Sequence, residues 1–276
     1  MSPRNRRYAD SQPAQGPQSQ FSCGFQRLFI EPVKGWSGRH RRVVKVLGAL
    51  LTILLLLVVA GWVYLATLPG VGDAESRVEA VLAAHGGRLL PAPPPARLAA
   101  AVVSTEDENF YDGVLLDVAS GAGRAAVAAV GSNEDPGGST IAQQLAKRLY
   151  PHGGGLLGTL EEIGLGVKLS LHYSHDQVLD MYLNSIYYGN GYWGVVAAAH
   201  GYFGTSPRRL TWGEASLLAG LPQAPSAYDP VHHLPLARQR QRHVLDQLVT
   251  NGYLTSSSAD AAFREPLPLP RVGPGG

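Results

Sequence analysis

Gly137-Gly-Ser139-Thr140-Ile-Ala-Gln143-Gln144, running on to Lys147 and Arg148, is the stretch on which the reading of this chain turns. Thr140 and Gln143 have the spacing of a capping box, which predicts a helix starting here, and the glycine pair permits close backbone approach to that start. Such a helix start offers free N–H groups beside a cation, an arrangement suited to phosphate or pyrophosphate. Thr140, Gln143, Gln144 and Lys147 fall within a turn or two on one side and could face a shared cleft. About thirty residues earlier stands Ser104-Thr-Glu106-Asp107-Glu108-Asn-Phe110, an acid cluster that follows the apolar run Ala99 to Val103. Carboxylates beside apolar surface and like charge are the setting in which a general base is poised near neutral pH. An acid cluster is also an ordinary solvated helix face, so it points to chemistry only in company with the helix start.

Upstream, Val46 to Leu68 runs 23 positions without a charge. At 1.5 Å per residue that is enough to cross a hydrocarbon core of roughly 30 Å. Arg39, Arg41, Arg42 and Lys45 crowd its N-terminal side, so the positive-inside rule predicts a cytoplasmic N-terminus and an extracytoplasmic domain, with the run an uncleaved membrane anchor. Residues 1 to 45 carry nine Lys or Arg against two acids, a surplus of seven; with +2 overall, the remainder is −5. The basic tail therefore reads as a topology and anionic-lipid signal, not as evidence for nucleic acid. Cys23, the single cysteine, falls in that tail, so the exported part is expected to hold by packing alone.

The rest of the chain reads as helical. Ala74 to Ala84 has helical apolar spacing, as do Val178, Leu179, Tyr182, Leu183 and Ile186 behind an N-cap at Ser174. Thr211 and Glu214 have capping-box spacing before a helix to Leu221, and a further helix is expected over Ala237 to Leu254. One segment stays open: Ile163, Leu165, Val167, Leu169 and Leu171 alternate as a strand would, while Leu160, Ile163, Val167 and Leu171 fit a helix face. The expected organisation is a disordered basic tail at 1–42, a transmembrane helix at 43–68, a linker at 69–96, a mainly α folded domain at 97–258 and a Pro/Gly-rich disordered tail at 259–276.

These segments, with Glu162, Ser174 to Gly189, Ala197 to Gly204 and Ala219 to Ser226, resemble in order the peptidoglycan glycosyltransferases of glycosyltransferase family 51, found alone or as the first domain of bifunctional penicillin-binding proteins. The resemblance implies a lysozyme-like, mainly α fold that polymerises lipid II into glycan strands with inversion and release of undecaprenyl pyrophosphate. It implies Glu106 as general base and Glu162 as the second catalytic glutamate near the donor pyrophosphate, acting in some members through a divalent metal, Mg2+ or Mn2+. Asp107, Phe110, Ser139, Thr140, Gln143, Gln144, Lys147, Arg148, Asn184 and Tyr187 correspond to substrate-lining positions. The implied partners are lipid II, the nascent glycan strand and the membrane. The chain ends too soon for a transpeptidase domain, so cross-linking would fall to separate transpeptidases.

The chain departs from the family pattern at Gly113 and Leu115, where His and Gly are usual, and at Arg148, where Asn is usual. The family's Arg-Lys pair, four and three residues before the second glutamate, is here Gly158 and Thr159. A charge-assisted contact to pyrophosphate is worth about 1.5–3 kcal/mol, so this loss bears on donor binding. Arg148 and Lys168 are the cations in the sequence that could compensate. Two rival readings follow: a catalytically weakened homologue that binds lipid II as a scaffold, and a lysozyme-like hydrolase of finished glycan. Tyr187, Tyr188, Tyr192 and Trp193 read first as core aromatics and second as a sugar-stacking platform.

Overall fold

The computed structural model describes residues 38–113 and 139–270. Cys23, Leu115 and the rest of 114–136, and the glycine pair at 137 and 138 lie outside them. Among the described residues the structure is helical, with only an isolated antiparallel bridge between Tyr187 and Trp193 in place of strands. The helices are α1 (Gly38–Thr67), α2 (Ala74–Ala84), α3 (Ala96–Glu106), α4 (Ile141–Leu149), α5 (Gly155–His172), α6 (His175–Ser185), α7 (Val195–Phe203), α8 (Trp212–Gly220), α9 (Leu234–Thr250) and α10 (Ser256–Arg264). The contacts divide the chain within α1, into Met1–Leu55 and Leu56–Gly276. In α1, Arg41–Thr67 is by length and composition sufficient to cross a membrane.

In the larger unit α9 packs on α8 and α3, while α4 packs on α5 and α6. The caps fall where the sequence places them. Ser174 and Gln177 form a reciprocal capping box at the start of α6, and Thr211 and Glu214 form another at α8. α9 begins three residues earlier than its apolar spacing suggests, because Pro235 is accommodated in the first turn, where its missing N–H costs nothing. The expected linker at 69–96 contains α2, which buries Val78 and Leu82 and packs on α6. The expected tail from 259 overlaps α10, which buries Ala259 and Ala262. Both segments are short and small-residue-rich, and their burial depends on partners distant in sequence.

The ambiguous segment is helix. Its period-two glycines arise from two close approaches on different sides of α5, not from a pleat. A Cβ at Gly166 would stand 2.8 Å from Gln143 Cγ and 3.0 Å from Gln143 Cα and N on α4. A Cβ at Gly164 would collide with Leu68, with Tyr64 and Leu65 close behind. Two helix-interior glycines cost about 1 kcal/mol each against alanine. Burying Leu165 and Leu169 returns about 1.5–3 kcal/mol apiece, so packing outweighs propensity. Lys168 then closes the end of α1: its Nζ donates to the carbonyls of Leu65, Leu68 and Pro69 at 3.3, 2.9 and 2.8 Å. A cation thus gathers carbonyls at and just past the C-terminus of α1, the negative end of the helix dipole.

Gly166→Ala is expected to lower the thermal midpoint although alanine is the better helix former. The added methyl presses on α4 backbone, which cannot swing aside, and overpacking of 1–3 kcal/mol exceeds a propensity gain of about 1 kcal/mol. Thermal unfolding followed by circular dichroism checks this, and a raised midpoint would mean that α4 yields freely.

Candidate active site

Glu106 ends α3 and is reached directly from two other helices and, through Gln144, from a third. Gln144 on α4 donates from Nε2 to Glu106 Oε2 at 3.0 Å, and Tyr182 on α6 donates to Gln144 Oε1 at 2.9 Å. This chain fixes the amide orientation, since the Tyr182 hydroxyl must give its proton to the carbonyl end. Burial first, and then the charge of Glu106, hold the Tyr182 hydroxyl well above the usual tyrosine range, so it remains a donor. From α9, Arg240 approaches Glu106 Oε1 at 3.6 Å, with both side chains largely buried. Oε1 accepts no hydrogen bond among the described residues. Glu106 is thus held at one oxygen and leaves the other, beside a cation, with its lone pairs unshared.

Asp107 turns to α4. Its Oδ2 accepts from the N–H of Ile141 at 3.1 Å, and Thr140 Oγ1 accepts from the N–H of Gln143 at 3.2 Å. The helix start expected to present free N–H groups to phosphate therefore has two of them taken within the protein, one by a carboxylate. A cap satisfies the same orphan donors that an anion would, and here the cap is present.

Glu162 lies buried on α5. His152 Nε2 stands 3.1 Å from its Oε1 and Lys147 Nζ 3.8 Å from the same atom. The other ring nitrogen of His152, Nδ1, meets the carbonyl of Tyr150 at 3.1 Å. Both ring nitrogens face acceptors, so the imidazole donates at both ends only when it carries both protons. Tyr150 is in turn fixed by its hydroxyl on Asp73 Oδ1 at 2.9 Å and by Arg77, whose guanidinium lies 4.6 Å over the ring. The side chain of Lys147 is half exposed, so its pair with Glu162 is weak and the ammonium can swing toward a ligand.

α4 therefore serves both glutamates from adjacent i,i+4 stripes. Gln144 and Arg148 point to the Glu106 side, where the Arg148 guanidinium sits 5.9 Å over the Tyr182 ring. Gln143 and Lys147 point to α5. Ser139 meets this group through its carbonyl, 3.5 Å from Gln144 Nε2. Other expected residues lie elsewhere. Phe110 is buried, its ring against Tyr111 and His175. Asn184 is buried too, its Oδ1 accepting from Leu90 N at 2.7 Å and its Nδ2 donating to Asp180 O at 2.9 Å. Tyr187 pairs with Trp193, ring centroids 5.2 Å apart, and its hydroxyl accepts from Gly191 N. Tyr188 is fully buried.

Lys168 cannot stand in for the absent Arg-Lys pair, because it is bound to the end of α1. Position 158 has no room for a side chain: a Cβ there would overlap the carbonyl of Gly153, whose own N–H is held by Glu161 Oε2 at 3.1 Å. The loop that displaces a side chain at 158 is the one that delivers His152. Among the described residues no group of three or more His, Cys, Asp or Glu converges as a metal cradle, and a lysine and an imidazole stand beside Glu162. The residues present do not fit a protein-held metal, and no step below runs through one.

Sequence reasoning missed Arg240, Tyr182 and His152. Arg240 had a signal: it stands on the face of α9 that buries Ala237, Val244 and Leu248, where a charge requires a partner. His152 had none, since only the fold of the loop brings it to Glu162.

The family model described as Transglycosylase matches residues 91–249. A Cupriavidus necator protein provisionally named a transglycosylase is 38% identical over 176 residues, covering 63% of this chain and 76% of that protein. Penicillin-binding protein 2D of Bacillus subtilis is 38% identical over 168 residues, 60% of this chain and 24% of that protein. Penicillin-binding protein 1A of Vibrio cholerae is 37% identical over 179 residues, 64% and 22% respectively. The match thus spans about a quarter of these penicillin-binding proteins. The mainly helical unit is consistent with a lysozyme-like transglycosylase domain, and the chain belongs to the transglycosylase family, as the resemblance to peptidoglycan glycosyltransferases implies.

Tyr182→Phe is expected to leave Gln144 Oε1 without its buried donor and to cost about 1–3 kcal/mol in urea unfolding. An unchanged midpoint would remove Tyr182 from the chain that orients Gln144.

Proposed function

We propose that this protein is a membrane-anchored peptidoglycan glycosyltransferase that polymerises lipid II. The observation that carries the reading is Glu106, tethered at Oε2 by Gln144, flanked by Arg240 and left without a hydrogen bond at Oε1. In this reading Oε1 takes the proton from the acceptor sugar's 4-hydroxyl. The hydroxyl oxygen forms a bond to the donor's anomeric carbon, and the bond from that carbon to pyrophosphate breaks. The configuration inverts and undecaprenyl pyrophosphate leaves. Inversion by direct displacement needs one base and no covalent glycosyl-enzyme. Arg240 sets a positive charge beside Glu106 at the oxygen that receives the proton. Glu162, Lys147 and His152 lie on the donor side, where Lys147 and His152 offer donors to the pyrophosphate in place of the absent pair at 158 and 159. The apolar helix α1 supports a membrane anchor, with the N-terminus cytoplasmic by its charge, and transpeptidases are the proposed cross-linking partners.

A second reading, a lipid II-binding scaffold with weakened catalysis, draws support from the backbone that fills the space beside Gly158. Labelled lipid II separates the two. Polymer that is lost on Glu106→Gln supports the polymerase, and tight binding without polymer supports the scaffold. Full activity in Glu106→Gln would remove Glu106 from the role of base. Release of fragments from finished glycan would favour a hydrolase instead.

His152→Ala is expected to reduce kcat/KM for lipid II about ten- to hundredfold, the equivalent of one charge-assisted hydrogen bond of about 1.5–3 kcal/mol. Unchanged kinetics would take His152 out of the donor side.

A further inference from the structure

A cavity of about 310 Å3 opens between α2 and α6, bordered by the segment 89–92. Neither glutamate of the candidate active site lines it, nor does any of their partners. Glu75 and Glu79 line it from α2, one helical turn apart, and Asp180 lines it from α6; Val78, Leu89 and Met181 form apolar wall. No cation lines it. Asp180 is only 8% exposed, and its Oδ1 accepts no hydrogen bond from the described residues. Two nearby donors, Asn184 and Arg208, are engaged elsewhere. Asn184 donates to the main-chain oxygens of Asp180 and Leu90. Arg208, whose charge favours ionised Asp180 from a distance, donates to the carbonyls of Pro91 and Ala92 at 2.7 and 3.3 Å.

A buried carboxylate without a donor is costly unless something outside the chain supplies one. A metal ion suits the cavity poorly, since no three ligating groups converge among the described residues. An ammonium on an aliphatic arm meets both halves of the lining: its head carries the missing donors, and its arm covers Val78, Leu89 and Met181. We propose that this cavity binds a primary ammonium carried on an aliphatic arm, with Asp180 receiving the head and Glu75 and Glu79 adding negative charge around it. Such a group occurs on a lysine-type side chain and on a free alkyl diamine.

The pH dependence has a definite sign. Burial, and then the charge of Asp176, push Asp180 up to about 6, against the opposing charge of Arg208. The groups facing it are Asp176 on its own helix, Glu75 and Glu79 on α2, Arg208 in the turn before α8, and the Tyr111 hydroxyl, which donates to Asp176 at 3.4 Å. An alkylammonium stays charged to about pH 10. The ionised fraction of Asp180 grows as pH rises through about 6, so affinity for the amine rises over the same interval.

The test is calorimetric titration of the full chain in detergent micelles with cadaverine, N-acetyl-lysine methylamide and, as the neutral isostere, N-acetyl-norleucine methylamide. At least one amine binds, the norleucine compound does not, affinity increases severalfold from pH 5.5 to 7.5, and Asp180→Asn weakens binding at least tenfold. A preference for the lysine compound supports the proposal and assigns a peptide-borne amine; a preference for cadaverine supports it and assigns a free one. Should Asp180→Asn fail to fold, Glu79→Gln on the exposed face of α2 provides the test, with a two- to threefold weakening expected. No amine binding, equal binding of norleucine and lysine compounds, or full affinity in the folded variants would overturn it.

Discussion

The contact between α4 and α5 at Gly166 is the constraint on which the site depends. Only a residue without a Cβ lets the backbone of Gln143 lie this close to α5. With that separation fixed, the two faces of α4 are fixed as well. Gln144 reaches Glu106 from one stripe, and Lys147 reaches Glu162 from the next. A wider spacing would move Lys147 off Glu162, and a rotation of α4 to restore it would break the Gln144 bond. Two acids with different surroundings are thereby held by one nine-residue helix.

The surroundings differ in kind. Glu106 has a neutral amide on one oxygen and a buried guanidinium near the other, while Glu162 meets an imidazole and a half-exposed ammonium on the same oxygen. Such a contrast suits two carboxylates with separate roles. The loop between α4 and α5 reconciles the sequence with this chemistry. Its Gly153 carbonyl fills the space where residue 158 would carry a side chain, and the same turn brings His152 to Glu162. The helix lacks the family's two cations at 158 and 159, and the loop sets an imidazole beside the glutamate.

The short segments flanking the domain are part of this support. α2 packs on α6, and its neighbour Asp73 with Arg77 holds Tyr150, the residue whose carbonyl orients His152. Lys168, on the helix that carries Glu162, binds the carbonyls of Leu68 and Pro69 just past the end of α1. The segment 64–69 at the end of α1 and the helix that carries Glu162 are therefore joined through one side chain and a glycine contact.

What the sequence determined by itself was local or periodic: the apolar run of α1, the caps at Thr140, Ser174 and Thr211, the helical stripes of α6 and α9, and the ordered motifs that placed Glu106 and Glu162 in a family. Each of these is encoded within a turn or two of chain, where propensity and spacing act directly. Tertiary structure decided the rest. The glycine-rich alternation before His172 became helix because α4 and the end of α1 need close approach, which no local pattern records. The helix start read as a phosphate site is capped by Asp107, 34 residues away in the chain. Arg240, His152 and the cavity at Asp180 acquire their meaning only from groups brought together across long separations, since a charge inside a fold is defined by what surrounds it.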